Sequence, residues 1–417
     1  MAKVLVLGAG VIGVSSAYFL ARAGHEVAVI DRQRGPGLET SYANGGHVAA
    51  SHAMPWANPS VPLQLLRWLG REDAPLVFHL NADAAMWAWG LRFLANCAPW
   101  RVRANIRRIL PLALHSRAVL KELTAETGLE YDQQSRGILH IFRDDRELSH
   151  GAERATVMSE MGCEISVLDG AGCVALEPAL AAARDRIVGG VHSPGDFSGD
   201  AYKFTARLAE VCAEMGVVFR LGTPIWRISK MAGRVTGVMT ERGMFTADHY
   251  VVALGSYSPL YLRPLGIRIP VYPAKGYSVT LPVTSEAKAP TMAITDDSHK
   301  LVYSRLGDRL RVAGTAEFDR YNSDINPVRA DAVLRGAMAL FPEAGEEAEA
   351  QFWAGLRPLT PDGAPVIGAT PISNLFLNTG HGTLGWTLAC GSGQVIADII
   401  DGQTPEVDIE GLGMERF

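Results

Sequence analysis

Apolar positions open the chain as a short unbroken run, Val4 to Leu7, the pattern of a strand buried on both faces. A second run, Glu26-Val-Ala-Val-Ile-Asp31, ends on an acid. Between them, residues 11–23 put Ile12, Ala17, Leu20 and Ala21 on one side of a helix that Gly24 ends. Gly35-Pro-Gly37 breaks this unit, and the loop Ser41-Tyr-Ala-Asn44-Gly45-Gly46-His47 follows. Residues 60–130 read mostly as helix, including Arg103 to Thr127, and Gly137 to Phe142 reads as a strand. A helix near 146–161 and a helical turn ending Leu176-Glu-Pro178 come next. Residues 200–215 carry Phe204, Leu208, Val211 and Cys212 on one helical face, and Gly216 to Arg220 reads as a strand. Val235 to Met239, Gly243 to Phe245 and His249 to Leu254 alternate or run apolar as strands, and Val271 to Leu281 and Leu301 to Ala313 predict longer antiparallel ones. The last 65 residues return to glycine-rich turns before a helix over 385–401. No internal repeat is visible. Strands, then helices, then strands predict an α/β chain, α+β overall: a nucleotide-type domain interrupted by insertions that build a substrate domain.

Length and composition narrow this further. A chain of 417 residues is too long for one compact core and predicts two domains. Hydrophobic content of 48% with 20% charged residues is that of a soluble globular protein. The net charge of −5, with no basic tail, argues against nucleic acid as a partner. Cys97, Cys163, Cys173, Cys212 and Cys390 form no CxxC pair, which fits a reducing compartment and predicts neither a disulfide framework nor a metal site. The first strand begins almost at the N-terminus, so a cleaved signal peptide is not expected and a cytoplasmic location is. No stretch reaches the roughly 18 apolar residues of a spanning helix. Residues 54–100 are unusual all the same. They hold Trp56, Trp68, Trp87, Trp89 and Trp100 among Leu63, Leu65, Leu66, Leu69, Leu91, Phe93 and Leu94, interrupted by Arg67, Arg71, Arg92, Arg101 and Arg103. That pattern suits peripheral contact with a membrane, on the inner face of a bacterial one, and equally a helical lid or a subunit interface.

The chemistry starts at Gly8-Ala-Gly10-Val-Ile-Gly13, set between a strand and a helix. Gly8 makes the tight turn, Gly10 lets backbone approach a pyrophosphate, and Gly13 packs the helix against the strand. The free N–H groups of the helix start favour an anion. Asp31 stands about twenty residues on, where an acid would bond a ribose hydroxyl. NAD and FAD both fit these residues.

Later segments separate the two. They are Val251-Val-Ala253-Leu-Gly255-Ser256, Pro273-Ala-Lys275-Gly276-Tyr277, Trp353-Ala-Gly355-Leu-Arg357-Pro358, Thr360-Pro-Asp362-Gly363, and Asn378-Thr-Gly380-His381-Gly382-Thr383-Leu384-Gly385-Trp386-Thr387. Together with the first glycines they resemble the D-amino-acid oxidase superfamily of FAD-dependent enzymes, most closely its bacterial D-amino acid dehydrogenase small-subunit branch. The resemblance runs from Val4 to about Gly402. It implies a discontinuous Rossmann-like FAD-binding domain (residues 1–55, 180–260 and 350–417) and an inserted antiparallel-sheet-plus-helices substrate domain (56–179 and 261–349).

The same resemblance implies a cofactor site of Gly8, Ala9, Gly10, Val11, Ile12, Gly13, Asp31, Arg32, Ser41, Asn44, Gly45, Gly46, Ala253, Gly255, Gly380, His381, Gly382, Thr383 and Leu384. A helix start after Leu384 would favour negative charge on the reduced flavin. Arg357 is the expected carboxylate clamp, since a planar guanidinium holds a carboxylate in two bonds and an arginine among Gly, Leu and Pro is out of place on a solvated surface. Tyr277 and Tyr303 are expected in the pocket wall or on the carboxylate, with strand packing as the alternative. Lys275 is expected at substrate or flavin, with a solvated side chain as the alternative. His381, between glycines, is expected to shape its loop and not to move protons. The implied reaction is oxidative deamination of a D-amino acid to a 2-oxo acid and ammonia, by hydride transfer to flavin N5, with electrons passed to a quinone or respiratory acceptor. Residues 353–368 contain no cysteine, which predicts a noncovalent flavin. The competing readings are a D-hydroxyproline or other cyclic imino acid dehydrogenase, a glycine/sarcosine-type oxidase, an NAD-dependent dehydrogenase and a non-enzymatic flavin-bearing scaffold.

Overall fold

A computed structural model describes residues 1–68, 71–72, 74–79 and 82–417. The opening apolar runs form the Lys3–Leu7 and Glu26–Ile30 strands, paired in parallel, with the Val11–Arg22 helix between them. They lie in a six-stranded sheet of order Val366–Ala369, Leu375–Thr379, His249–Val252, Lys3–Leu7, Glu26–Ile30, Val218–Arg220. All neighbours are parallel except the first pair. Val4, Val6, Leu5 and Leu7 are all buried, the two faces feeding separate apolar clusters, as an uninterrupted apolar strand requires. The Val11–Arg22, Ala201–Glu214 and Gly385–Ile400 helices cover one face. A three-stranded antiparallel sheet, Ile225–Met231, Arg234–Thr240 and Gly243–Phe245, contributes to the core on the other.

A nine-stranded mixed sheet stands against this unit. Its order is Gln351–Leu359, Tyr272–Pro282, Arg309–Phe318, Leu301–Leu306, Ala293–Asp296, Ile138–Phe142, Gly189–Ser193, Ser166–Asp169, and Leu76–Phe78 pairs with the Arg309–Phe318 strand. The strand expected over Leu301 to Ala313 is a hairpin, because Gly307 turns the chain at φ +60°. The glycine-rich tail holds more than turns: Gln351–Leu359 is a nine-residue strand. Its Pro358 is tolerated because the strand is an edge and its one neighbour pairs Pro273 opposite. Sheet membership therefore groups 189–193 and 351–359 with the larger sheet, not with the dinucleotide-type unit where they were expected. The helix Pro327–Leu340, which had no counterpart in the reading of the sequence, packs on this sheet.

Residues 61–127 are mostly helical, as expected: Val61–Trp68, Ala84–Asn96 and Pro99–Thr127. Met86, Trp89 and Phe93 pack beneath Ala84–Asn96 with Tyr272, Phe318 and Leu359, and Trp89 Nε1 donates to the Leu359 carbonyl at 3.0 Å. Trp87, Leu91, Leu94 and Trp100 stay exposed on the outside, at 52%, 70%, 45% and 67%. Leu69 and the side chains of Leu66 and Trp68 lie outside the described residues. All five cysteines are buried thiols.

Candidate active site

The two sheets enclose a cavity of about 1190 Å³. Its first stretch is built by the opening motif. Gly8 turns at φ +109°, where a side chain would strike the Ala253 carbonyl, and a Cβ at Gly13 would strike the Gly8 carbonyl. Gly10 caps the Val11–Arg22 helix without a side chain of its own, and Ser41 Oγ accepts from Val11 N at 3.1 Å. The Asp31 carboxylate accepts from Ala9 N and Gln33 N, both at 2.7 Å, and burial pushes its pKa up. Arg32 reaches Glu39 through Nε at 2.8 Å and lies 4.0 Å over the Tyr257 ring. Gly8 to Ile12, Asp31, Arg32, Ala253 and Gly255 all line the cavity, whereas Gly13 sits behind the turn.

The middle stretch is the 43–46 loop. Asn44 Oδ1 accepts from Gly46 N at 2.9 Å, closing a tight turn. Three side chains from the larger sheet hold the carbonyls of this loop: Ser278 Oγ donates to Ala43 O at 2.8 Å, Ser304 Oγ to Gly45 O at 2.7 Å, and Arg311 Nη1 to Asn44 O at 3.4 Å. Side chains at Gly45 or Gly46 would run into Val302 or Ser304. The reading of the sequence missed these three anchors. Their strands read as packing, and only the fold brings them to the loop.

At the C-terminal side, Gly382–Leu384 forms a single turn that leads into the Gly385–Ile400 helix. Asn44, Gly45, Gly46, His381, Gly382, Thr383 and Leu384 line the cavity, and Gly380, at φ +76°, packs behind against Thr360 and Val271. His381 Nε2 meets Ser392 Oγ at 3.1 Å, and burial holds its pKa at about 3, so it is neutral. Asn378 Oδ1, His381 Nδ1 and Trp386 Nε1 are buried without hydrogen-bond partners on residues that line this stretch. A bulky group fits in this cavity, beyond a glycine turn that suits a pyrophosphate. By these observations the site fits FAD.

Arg357 also lines the cavity. A bulge in the Arg309–Phe318 strand, where Lys275 pairs with Glu317 but Tyr277 pairs with Gly314, puts Thr315 at φ +53°. The carbonyls so turned accept from Arg357: Thr315 O from Nη1 at 2.8 Å and Gly314 O from Nη2 at 3.5 Å. No carboxylate among the described residues pairs with this guanidinium, and burial lowers its pKa to about 10. It lies across Gly276, where any Cβ would collide with it. The result is an uncompensated cation facing an enclosed space, which an anionic ligand would stabilise.

The other expected substrate residues divide. Tyr277 lines the cavity, but its hydroxyl donates to Glu317, so its ring is what forms the wall. Burial and Glu317 push the phenol pKa up. Lys275 does not line the cavity and is not solvated either. It is 2% exposed, 3.3 Å from Glu317 and 3.0 Å from the Asp324 carbonyl. Glu317 also takes His79 at 2.7 Å and Arg329 at 3.6 Å. A lone acid in the apolar run Arg309 to Phe318 was the signal that could have revealed it. Tyr303 is placed away from the cavity, in the core of the larger sheet. Its hydroxyl donates to the Gly336 carbonyl at 3.0 Å and its ring meets Phe341 edge-on.

A family model described as FAD dependent oxidoreductase, DAO, matches residues 3–399. The chain belongs to the DAO family. A D-amino acid dehydrogenase of Paramagnetospirillum magneticum is 55% identical over 416 residues, covering 100% of this chain and 99% of the relative. One from Dechloromonas aromatica is 53% identical, covering 98% and 99%. Among solved structures, glycine oxidase from Bacillus cereus is 26% identical, with a TM-score of 0.75 over 97% of this chain and 96% of that one. Glycine oxidase from Geobacillus kaustophilus shares the fold at a TM-score of 0.79, 21% identity and full coverage of both chains. This DAO-family chain is thus an FAD-dependent oxidoreductase, and NAD is excluded as its family cofactor.

Proposed function

We propose that this chain oxidises D-amino acids to 2-oxo acids and ammonia. The observation that carries the reading is Arg357, a guanidinium in the cavity with only backbone carbonyls as partners among the described residues. Relatives named D-amino acid dehydrogenase, half or more identical over the full length, support the substrate class. FAD, when bound, would supply the two-electron oxidation of the substrate's Cα–N bond. The chain does the rest by placement. Arg357 holds the substrate carboxylate in two bonds, Gly276 leaves room for that guanidinium, and the Tyr277 ring forms a wall. The loop 43–46, the N-terminal glycines with Asp31, and Gly382–Leu384 would hold the cofactor, the helix start offering backbone N–H groups to negative charge. No acid or base among the described residues is needed at the amine, because the neutral amine supplies the electron pair that expels hydride. The imino acid released is hydrolysed by water.

Electrons then pass to a quinone or another respiratory acceptor, with the enzyme held on the inner face of the membrane. No helix of the described residues is long and apolar enough to cross a bilayer. The exposed Trp87, Leu91, Leu94 and Trp100 support surface contact, with Arg67, Arg92 and Arg103 exposed nearby in the chain. No acid occurs between Asp83 and Glu122.

The test is anaerobic bleaching of the yellow holoenzyme by a panel of D-alanine, D-proline, D-hydroxyproline, glycine, sarcosine and L-alanine. D-alanine bleaches the parent. Arg357→Ala keeps its flavin and loses roughly 100-fold or more in kcat/KM. Bleaching confined to glycine, sarcosine or the cyclic imino acids, or an Arg357→Ala variant as fast as the parent, refutes the reading.

A further inference from the structure

The cavity has a second end, chemically unlike the first. Arg357 lies on the edge strand of the larger sheet, and His140 lies on Ile138–Phe142, five strands over. The Arg357 guanidinium reaches across to the Thr315 and Gly314 carbonyls of the third strand, so at about 4.8 Å per strand it lies roughly 14 Å from His140 along the sheet. Gly45 and Gly46 fall between them, against Val302 and Ser304 of the fourth strand. At the far end His140 Nδ1 donates to Asp297 Oδ2 at 2.9 Å, and the His52 ring stacks on His140 with centroids 4.2 Å apart. All three residues line the cavity. Lys300 and Arg154 stand 3.6 and 3.9 Å from Asp297 Oδ1, and His47 lies close by, bonded to the Tyr303 carbonyl at 3.2 Å.

Burial alone would raise the Asp297 carboxyl, but the bond and charge of His140, with His52 and Lys300, hold it far below its usual range. Burial and the neighbouring His140 keep His52 neutral. One fixed negative charge therefore backs one imidazole. A histidine whose Nδ1–H is held by a buried carboxylate keeps Nε2 for proton transfer, and the carboxylate stabilises its imidazolium. The ligand atoms of His52, His140 and Asp297 lie within 4.8 Å of one another, the spacing of a metal site. A divalent ion there would face Lys300 and Arg154 as well, so proton chemistry suits the group better.

We propose that His140, paired with Asp297, is the proton donor of the second half of the cycle, serving an oxidant of the quinone class whose reduction consumes protons. This rests on the reading of the chain as an amino-acid-oxidising flavoenzyme. The amino acid gives up two electrons and a hydrogen as hydride in the first half. In the second, the quinone takes that hydride equivalent and one proton from His140 Nε2. Its two carbonyls become hydroxyls, and water reprotonates His140. The dyad lies too far from Arg357 to touch an amine clamped there.

Stopped-flow on the holoenzyme separates the halves. His140→Asn and Asp297→Asn should bleach with D-alanine within about twofold of the parent, yet be reoxidised by a short-chain quinone roughly tenfold or more slowly. Reoxidation by ferricyanide, which takes electrons without protons, should be unchanged. A redox-inert naphthol should bind the His140→Asn holoenzyme more weakly by calorimetry. Flavin content and melting curves report folding; if His140→Asn does not fold, Asp297→Asn, of nearly unchanged shape, decides alone. Parent-like quinone rates, slowed bleaching, or stoichiometric zinc in the parent that is lost from His140→Asn overturns the proposal. If no D-amino acid bleaches the parent, the reading of the substrate falls, and chemically reduced holoenzyme still tests the dyad.

Discussion

Arg357 carries a pH signature of its own. Its guanidinium is enclosed with no carboxylate partner among the described residues, and burial lowers its pKa to about 10. The charged form is the one that binds a carboxylate, so a lowered pKa means that binding is lost as pH rises through that value. The substrate works in the opposite sense, because its ammonium must lose a proton before hydride can leave. kcat/KM for D-alanine should therefore rise with pH and then turn down near pH 10, as expected for a parameter that reports the free enzyme and free substrate. Initial rates across the alkaline range check this, and a rise that continues undiminished well above that point shows that the Arg357 guanidinium keeps its charge despite burial. At this scale the sequence is uneven. An arginine set in Ala-Gly-Leu-Arg-Pro is conspicuous by its surroundings. Lys275 and Tyr277 are adjacent to a readable motif, but what they do depends on Glu317, which lies forty residues on and joins them only through strand pairing. Tyr303 had a plausible residue type and the wrong neighbours.

Between elements, the decisive contact is the pairing of Tyr272–Pro282 with Gln351–Leu359, in register with Gly276 opposite Gly355. Gly276 lets the Arg357 side chain cross its neighbouring strand with no Cβ in the way, while Gly355 opposite it leaves room for the Trp353 ring. Gly276→Ala should displace the end of a flexible side chain and leave the backbone where it is. The expected outcome is a folded, yellow enzyme with a melting temperature close to that of the parent. Its kcat/KM for D-alanine should fall on the order of 10–100-fold, since a shift of about 1 Å in a clamp is enough. Steady-state kinetics beside a melting curve check it, and unchanged kinetics would show that Arg357 does not depend on that gap. The sequence announces Gly8, Gly10 and Gly13 because their turn is local, closed within a single strand–helix step. Gly276 and the Thr315 bulge are silent, because their partners come from strands distant in sequence. The Gln351–Leu359 strand was hidden for a related reason: edge strands tolerate the Gly and Pro that otherwise signal turns.

Across the whole molecule, the sheets carry the chemistry, the Pro99–Thr127 helix packs into the main core beside Gly385–Ile400, and the Ala84–Asn96 helix lies outside with two apolar faces. Met86, Trp89 and Phe93 satisfy the inner one against Tyr272, Phe318 and Leu359. The Ala84–Asn96 helix thus buries one apolar face on its own chain and leaves another exposed. The outer stripe of Trp87, Leu91 and Leu94 recurs at positions i, i+4 and i+7, and Trp100 extends it. Moving such side chains out of water is worth roughly 1.5–3 kcal/mol each at full burial. Each arginine near an anionic surface adds about 1 kcal/mol, and adds less as salt rises. A protein of net charge −5 would otherwise be repelled by such a surface, so the acid-free stretch from 84 to 121 is what makes the approach favourable. The holoenzyme should sediment with vesicles containing anionic lipid, less with neutral ones, and less again in high salt. Replacing Trp87, Leu91 and Leu94 together by Ser should weaken vesicle binding roughly tenfold or more. The inner face is untouched by these changes, so flavin content and turnover with a water-soluble acceptor should stay at the parent's level. Equal sedimentation of parent and variant, or indifference to lipid charge, would leave the stripe as a face for another protein surface and remove the bilayer from the account.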